Sequence, residues 1–103
     1  MILDRGFIIV EPKTDFINWI QKYSKDSLIG LEDSEPSLYL ITDDFLDDDL
    51  VIKQNYEQIF LYELEISGID ETYWPEINLD NFNCYFNTTV GVSVVDLKQK
   101  QQQ

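Results

Sequence analysis

The chain lacks histidine altogether and contains one cysteine and four glycines. Histidine is the commonest general base and the usual activator of serine and cysteine nucleophiles, so its absence excludes those catalytic systems. The single Cys84 excludes an intramolecular disulfide, and one cysteine without histidine excludes a zinc site of ordinary composition. The glycines form neither a phosphate-binding loop nor a dinucleotide fingerprint. The sequence therefore predicts no cofactor.

Positive charge is also scarce, because 7 Lys and Arg residues stand against 20 Asp and Glu, for a formal net charge of −13. The imbalance is concentrated in residues 26–97, which hold 17 acids and one basic residue, Lys53. A field of this sign repels the phosphate backbone, so direct binding to nucleic acid is disfavoured. It favours a basic protein partner, and it also keeps a protein soluble without any partner.

No long hydrophobic run occurs near the N-terminus. Residues 1–13 have no basic start, and their apolar core, Phe7 to Val10, is too short for a signal peptide or a membrane span. A single cysteine suits a reducing compartment. We therefore expect a cytoplasmic bacterial protein that does not enter the membrane.

The chain does contain enough apolar surface for a folded domain, since 44% of its residues are hydrophobic and 14% are aromatic. Such a composition argues against disorder. The length of 103 residues fits one core. We place this single domain in residues 1–97, followed by a polar, frayed tail at 98–103. The aromatic residues predicted to share the core are Phe7, Phe16, Trp19, Tyr39, Phe60, Trp74, Phe82 and Phe86.

Hydrophobic periodicity predicts the element order β-α-β-α-α-β. Such strand-helix-strand units favour the α+β class, here a two-layer domain with a small three-stranded sheet and helices packed on it. The strand directions stay open, and a mixed sheet is one of the options. The sheet edges could pair between copies, so both a monomer and a homodimer stay open. The strands are predicted around 7–10, at 37–42 and at 89–97, and the helices at 14–24, 50–66 and 78–86.

Local signals mark the ends of the helices. Thr14 and Asn78 are predicted to cap the first and third helices, and Gly68 is predicted to end the second. Cys84 stands next to core-facing positions of the third helix. It is therefore predicted to be a buried and inert thiol.

A set of short motifs runs through nearly the whole chain. In chain order they are "FIIV" followed by Lys13, Phe16 and Trp19, then "SLYLI", "IF" before Glu63 and Leu64, Trp74 with Pro75, Phe82 with Tyr85 and Phe86, and "VDL" at 95–97. In this spacing the chain resembles a group of small, acidic, uncharacterised bacterial proteins. It departs from the group at Tyr85, where a tryptophan is expected. The group has no assigned activity, so the resemblance implies a single domain and assigns no functional residue.

The densest charge lies in "ITDDFLDDDL", which contains Asp43, Asp44, Asp47, Asp48 and Asp49. An EF-hand loop is excluded, because its glycine and its final glutamate are missing. A weaker Mg²⁺ site with Asp43, Asp44 and Asp47 as candidate ligands stays open. Helix-start chemistry explains residues 47–49, where one aspartate can cap free N–H groups and the others favour the positive end of the helix dipole. It does not explain Asp43 and Asp44.

A second candidate site surrounds Trp74, which has Tyr73, Asp70, Glu71 and Glu76 as neighbours in the sequence. Aromatic rings surrounded by acids can bind an arginine or lysine of a partner through cation–π contact and ion pairing. The alternative is a plug, in which the rings close the core beneath a connecting segment.

Together these features favour a non-enzymatic acidic module that docks on a basic protein surface. Immunity proteins and nucleic-acid-mimicking inhibitors are instances, because clustered carboxylates match the basic cleft of a nuclease. Two alternatives remain: a divalent-metal-binding or carboxylate-based enzyme that uses the stretch 43–49, and a structural homodimer with no separate ligand. The candidate contact residues are Asp43, Asp44, Asp47, Asp48, Asp49, Glu71 and Trp74.

Overall fold

The structure is a computed structural model that describes residues 2–3, 5–24, 35–42, 47–95 and 97–100. The described elements confirm the predicted α+β class and, from the second strand to the fourth, the order β-α-β-α-α-β. The short first strand is an addition, and the short last strand falls within the strand predicted at 89–97. In chain order the elements are β1 (Ile2–Leu3), β2 (Gly6–Pro12), α1 (Thr14–Tyr23), β3 (Ser37–Ile41), α2 (Asp48–Ile66), a 3-10 turn (Glu71–Tyr73), α3 (Leu79–Tyr85), β4 (Phe86–Gly91), β5 (Val94–Val95) and α4 (Leu97–Lys100).

The main sheet has three strands in the order β3-β2-β4. Both pairs are antiparallel, so the mixed sheet left open by the sequence is not formed. Ile8 of the central strand lies between Tyr39 of β3 and Val90 of β4. This order leaves β3 and β4 at the two edges of the main sheet.

Alternate residues of β2 face opposite sides of the sheet. Ile8 and Val10 are fully buried in the core, whereas Phe7 and Ile9 are only partly buried. The ring of Phe7 lies against Gly91 of β4, where any Cβ would overlap it. The prediction that Phe7 joins the common core is therefore wrong, because strand alternation places its side chain on the face opposite Ile8 and Val10.

Helices α1, α2 and α3 pack on the face of the sheet that carries Ile8 and Val10. Phe60 of α2 and Phe82 of α3 are fully buried, and their ring centroids are 5.8 Å apart. Among the residues predicted to share this core, Phe16, Trp19, Phe60, Phe82 and Phe86 are buried, and Tyr39 and Trp74 pack against them.

The helix ends follow the local signals in two of three cases. Asn78 caps α3, since its side chain accepts the backbone N–H three residues later at 2.8 Å. Gly68 has a φ of +74° just after α2, as expected for a residue that ends a helix. Thr14 is not the cap of α1. Lys13 occupies that position without a side-chain cap, and its backbone N–H donates to the carbonyl of Tyr85 at 2.8 Å.

The predicted last strand at 89–97 is divided into separate elements. Strand β4 ends at Gly91, and the next residues in extended pairing, Val94 and Val95, pair with β1 in a second two-stranded sheet. Leu97 begins α4, so residues 98–100 of the predicted tail belong to a short helix. The rest of that tail, residues 101–103, lies outside the described residues.

Candidate docking surface

The last three aspartates of the acidic stretch lie at the start of α2, as predicted. Asp47 is the N-cap, and its side chain accepts a hydrogen bond from the backbone N–H of Leu50 at 2.7 Å. Asp48 and Asp49 occupy the exposed first turn, near the positive end of the helix dipole. We call Asp47, Asp48 and Asp49 the acidic end. They line one surface depression together with Leu50 and Lys53.

Two substitutions of the capping residue Asp47 distinguish how much its hydrogen bond and its charge each contribute to stability. Asp47→Ala should lower the free energy of unfolding by about 0.5–2 kcal/mol, because one N–H of the first turn loses its acceptor. Asp47→Asn should cost less, since asparagine is an equally good N-cap. Chemical denaturation of both variants measures the difference. Equal losses would mean that the charge stabilises the helix and the capping bond does not.

The remaining predicted members of the cluster, Asp43 and Asp44, lie outside the described residues. Within the part of the chain that the structure describes, no group of three or more acidic or cysteine side chains could hold a metal ion. The Mg²⁺ site proposed for Asp43, Asp44 and Asp47 needs two residues outside that part. It therefore stays a prediction.

Trp74 acts as a plug for the core. Its indole N–H donates to the carbonyl of Ile69 at 2.8 Å, and its ring packs against the core cluster. The neighbouring Tyr73 stacks on Tyr23, with ring centroids 4.9 Å apart, and its carbonyl accepts the indole N–H of Trp19 at 3.1 Å. These contacts attach the connecting segment to the core. Trp74 therefore closes the core, which was the alternative to a role in binding a partner.

Glu71 is exposed in the 3-10 turn beyond the C-terminal end of α2. Asp70 caps this turn, and its pKa is lowered by hydrogen bonds from the hydroxyl and the backbone N–H of Thr72. Helix α2 has 19 residues and so spans about 28 Å. The acidic end lies at its other terminus. The structure therefore does not bring the two predicted groups of site residues together.

A groove between β3 and α2 was not predicted from the sequence. It has a volume of about 500 Å³ and opens beside an edge of the main sheet. Leu38, Leu40 and Tyr62 along it are 56%, 44% and 54% exposed. We call it the β3–α2 groove, and its lining residues are Leu38, Tyr39, Leu40, Ile41, Asn55, Gln58, Ile59 and Tyr62.

The helical wall of this groove is one continuous face of α2. Asn55, Gln58, Ile59 and Tyr62 follow the spacing i, i+3, i+4, i+7, which places them in one row along a helix. Asp48 stands seven residues before Asn55 and continues the same row. The row therefore leads from the groove to the acidic end.

The wall is held to the strand by a buried polar contact. Glu63 is only 8% exposed, and its carboxylate accepts a hydrogen bond from the hydroxyl of Tyr39. Burial raises the pKa of Tyr39, and the hydrogen bond and charge of Glu63 raise it further. The ring of Tyr39 also meets Tyr62 edge to face, with centroids 6.1 Å apart. These contacts fix the distance between the two walls.

Cys84 is exposed, so the prediction of a buried thiol is wrong. In α3 the buried residue is Phe82, and Cys84 follows it by two positions. Two positions correspond to about 200° around a helix, so the two side chains face nearly opposite directions. In a helix of seven residues, the direction set by Phe82 leaves Cys84 on the outer side.

The fold and this surface define a small acidic α+β domain with an open groove at the edge of its sheet. Among the described helices, none is both long and apolar enough to cross a membrane. Comparison with protein-family models, curated proteins and solved structures found no match to the chain. The resemblance to small acidic bacterial proteins therefore stays a prediction.

Proposed function

We propose that this protein is a non-enzymatic docking module that binds a basic protein surface. The observation that carries the proposal is the β3–α2 groove, which is bordered by the exposed side chains of Tyr62 on the helix and of Leu38 and Leu40 on the edge strand, and which leads to the acidic end. Apolar side chains exposed as a group and bordered by polar residues are typical of interaction sites. The groove lies within residues 26–97, where 17 acids stand against Lys53.

In this proposal the acidic charge and the groove contribute to different steps of binding. The acidic field attracts a basic partner over a distance and orients it, which raises the association rate. Contact with the exposed apolar side chains then excludes water and slows dissociation. A basic nuclease is one partner of this kind, whereas nucleic acid itself is repelled. We place the protein in the cytoplasm, where the exposed thiol of Cys84 stays reduced.

The test is calorimetric titration with purified basic proteins that include a basic nuclease, and with an acidic protein of similar size as the control. Binding to a basic protein should weaken between about 50 and about 200 mM salt, because salt screens exposed charges. The double variant Asp48→Asn, Asp49→Asn should lower the affinity about tenfold. It keeps the Asp47 cap, so the free energy of unfolding should fall only by the helix-dipole contribution of the two charges, about 0.3–1 kcal/mol each.

The matched control is Glu57→Gln with Glu71→Gln. It changes the net charge by the same amount, and both residues are exposed outside the groove and the acidic end. Equal losses in the two double variants would mean that only net charge matters, which contradicts a docking site. A larger loss in the control would contradict docking at the acidic end. Absence of binding to every basic protein would contradict the proposal as a whole. Asp43→Asn with Asp44→Asn tests the other predicted acids in the same assay.

A further inference from the structure

We propose that the β3–α2 groove binds an extended, lysine- or arginine-rich segment of the partner, which adds to the main sheet as a strand beside β3. This inference rests on the proposed function and specifies how docking occurs. Strand addition at an exposed sheet edge is a recurrent mode of peptide recognition, in which main-chain hydrogen bonds provide affinity and pockets for alternate side chains provide selectivity.

The first support is the position of β3 at an edge. It pairs with β2 on one side, and no strand in the described ranges pairs with its other side. In an antiparallel pair the backbone N–H and C=O groups of successive residues point alternately to the two sides. Part of the backbone of Ser37–Ile41 is therefore directed away from β2. The carbonyl of Ile41 already accepts the Nε–H of Arg5 at 3.0 Å, so the available length is 37–40.

The second support is the shape of the groove. Its two walls are a strand edge and one face of a helix, and the space between them is about 500 Å³. An incoming strand would direct every second side chain towards Gln58, Ile59 and Tyr62. Its other side chains would lie beside Leu38 and Leu40, which are exposed on the edge strand. The groove thus contacts one set of side chains, and Leu38 and Leu40 on the opposite face of the sheet contact the other set.

The third support is charge, which favours a basic segment of a partner over a second copy of this chain as the occupant of the groove. A second copy of this chain would bring together two molecules that each carry a net charge of −13. Like charges of this size oppose self-pairing at the edge. A segment that carries lysine or arginine among apolar residues would be attracted by Asp48. This residue lies where the row of Asn55 and Tyr62 reaches the acidic end. Glu35, exposed just before β3, adds a carboxylate next to the other end of the strand.

The probes are three synthetic peptides of about eight residues, long enough for the five-residue strand. The first alternates lysine with valine, the second is the same peptide with alternate backbone amides N-methylated, and the third has glutamate in place of lysine. The lysine peptide should bind, and N-methylation should lower its affinity at least about tenfold, because several main-chain donors are lost while the charge is unchanged. Hydrogen exchange should slow at residues 38–40 when the lysine peptide is bound. The glutamate peptide should not bind.

A matched pair of variants tests the location. Gln58 lines the groove and Asn18 of α1 does not, although both are exposed helical residues. Gln58→Lys and Asn18→Lys add the same charge, and lysine has a helix propensity at least as high as either residue, so neither should disturb folding. Gln58→Lys should lower the affinity for the lysine peptide about tenfold, and Asn18→Lys should lower it much less. Equal effects would place the peptide outside the groove.

The remaining outcomes separate this inference from the proposed function. Equal binding of the lysine peptide and its N-methylated form overturns strand addition, while docking by charge stands. Failure of the lysine peptide to bind, where a basic protein does bind, overturns strand addition alone. Equal binding of the glutamate peptide contradicts both proposals. Protection of residues 38–40 that rises with protein concentration in the absence of peptide would identify a second copy as the occupant and overturn the inference.

Discussion

Replacing Phe60 with alanine should lower the free energy of unfolding by about 3–5 kcal/mol. Phe60 is fully buried at the point where α2, α3 and β4 meet. The ring centroids of Phe82, Phe86 and Tyr85 lie 5.8, 5.9 and 6.0 Å from its own. Truncation removes the transfer free energy of the ring and leaves a cavity that rigid aromatic neighbours can fill only in part. Domains of this size are commonly stable by about 5–15 kcal/mol, so the loss would be a large share of the total.

Urea denaturation measures this loss, and the adjacent residue provides the control. Leu61 is 41% exposed on the same helix, so Leu61→Ala should cost much less than Phe60→Ala. Phe60→Leu should fall between them, because it keeps most of the apolar volume. If Phe60→Ala and Leu61→Ala were equally stable, Phe60 could not occupy the centre of the core.

Replacing Tyr39 with phenylalanine should cost about 1–3 kcal/mol, although it removes only one oxygen atom. The hydroxyl of Tyr39 donates to the carboxylate of Glu63, which is 8% exposed. Without this donor the nearly buried carboxylate loses a hydrogen bond that water replaces poorly at such low exposure. Tyr62→Phe is the matched control, because the side chain of Tyr62 is 54% exposed. Chemical denaturation should show little loss for that variant.

The difference between wild type and Tyr39→Phe should also depend on pH. The pKa of Tyr39 is raised in the folded protein, first by burial and then by Glu63, so the folded state holds the phenolic proton more tightly than the unfolded state. The stability that comes from this proton is fully present below the unfolded pKa of about 10 and is lost as the pH rises above it. The two proteins should therefore converge in stability at alkaline pH. A difference that stays constant from neutral to strongly alkaline pH would contradict the Tyr39–Glu63 contact.

The polar residues of α2 fall into two groups: those that stabilise the fold and those that lie only on its surface. Asp47 and Glu63 have structural partners, so their replacement changes stability as well as charge. Asp48 and Gln58 are exposed on the face that runs along the groove, so their replacement changes mainly the surface. Variants at these two positions are therefore the ones that report on binding.

The sequence by itself determined what depends on neighbours in the chain. Alternating or helical spacing of apolar residues predicted the α+β class and the order of the main elements, because these periods reflect backbone geometry. Asp47 and Asn78 cap helices and Gly68 ends one, since such signals act over three or four residues. The position of the acidic end at a helix start followed from the same local chemistry.

The tertiary structure alone decided which surfaces meet. The antiparallel order β3-β2-β4 placed β3 at an edge, and no local signal distinguishes an edge strand from a central one. The four residues after Ser37 are all hydrophobic, yet Leu38 and Leu40 are exposed because Tyr39 and Ile41 face the core. The β3–α2 groove and the distance between the acidic end and Glu71 both depend on how α2 packs. Such packing joins residues far apart in sequence, so spacing along the chain carries no record of it.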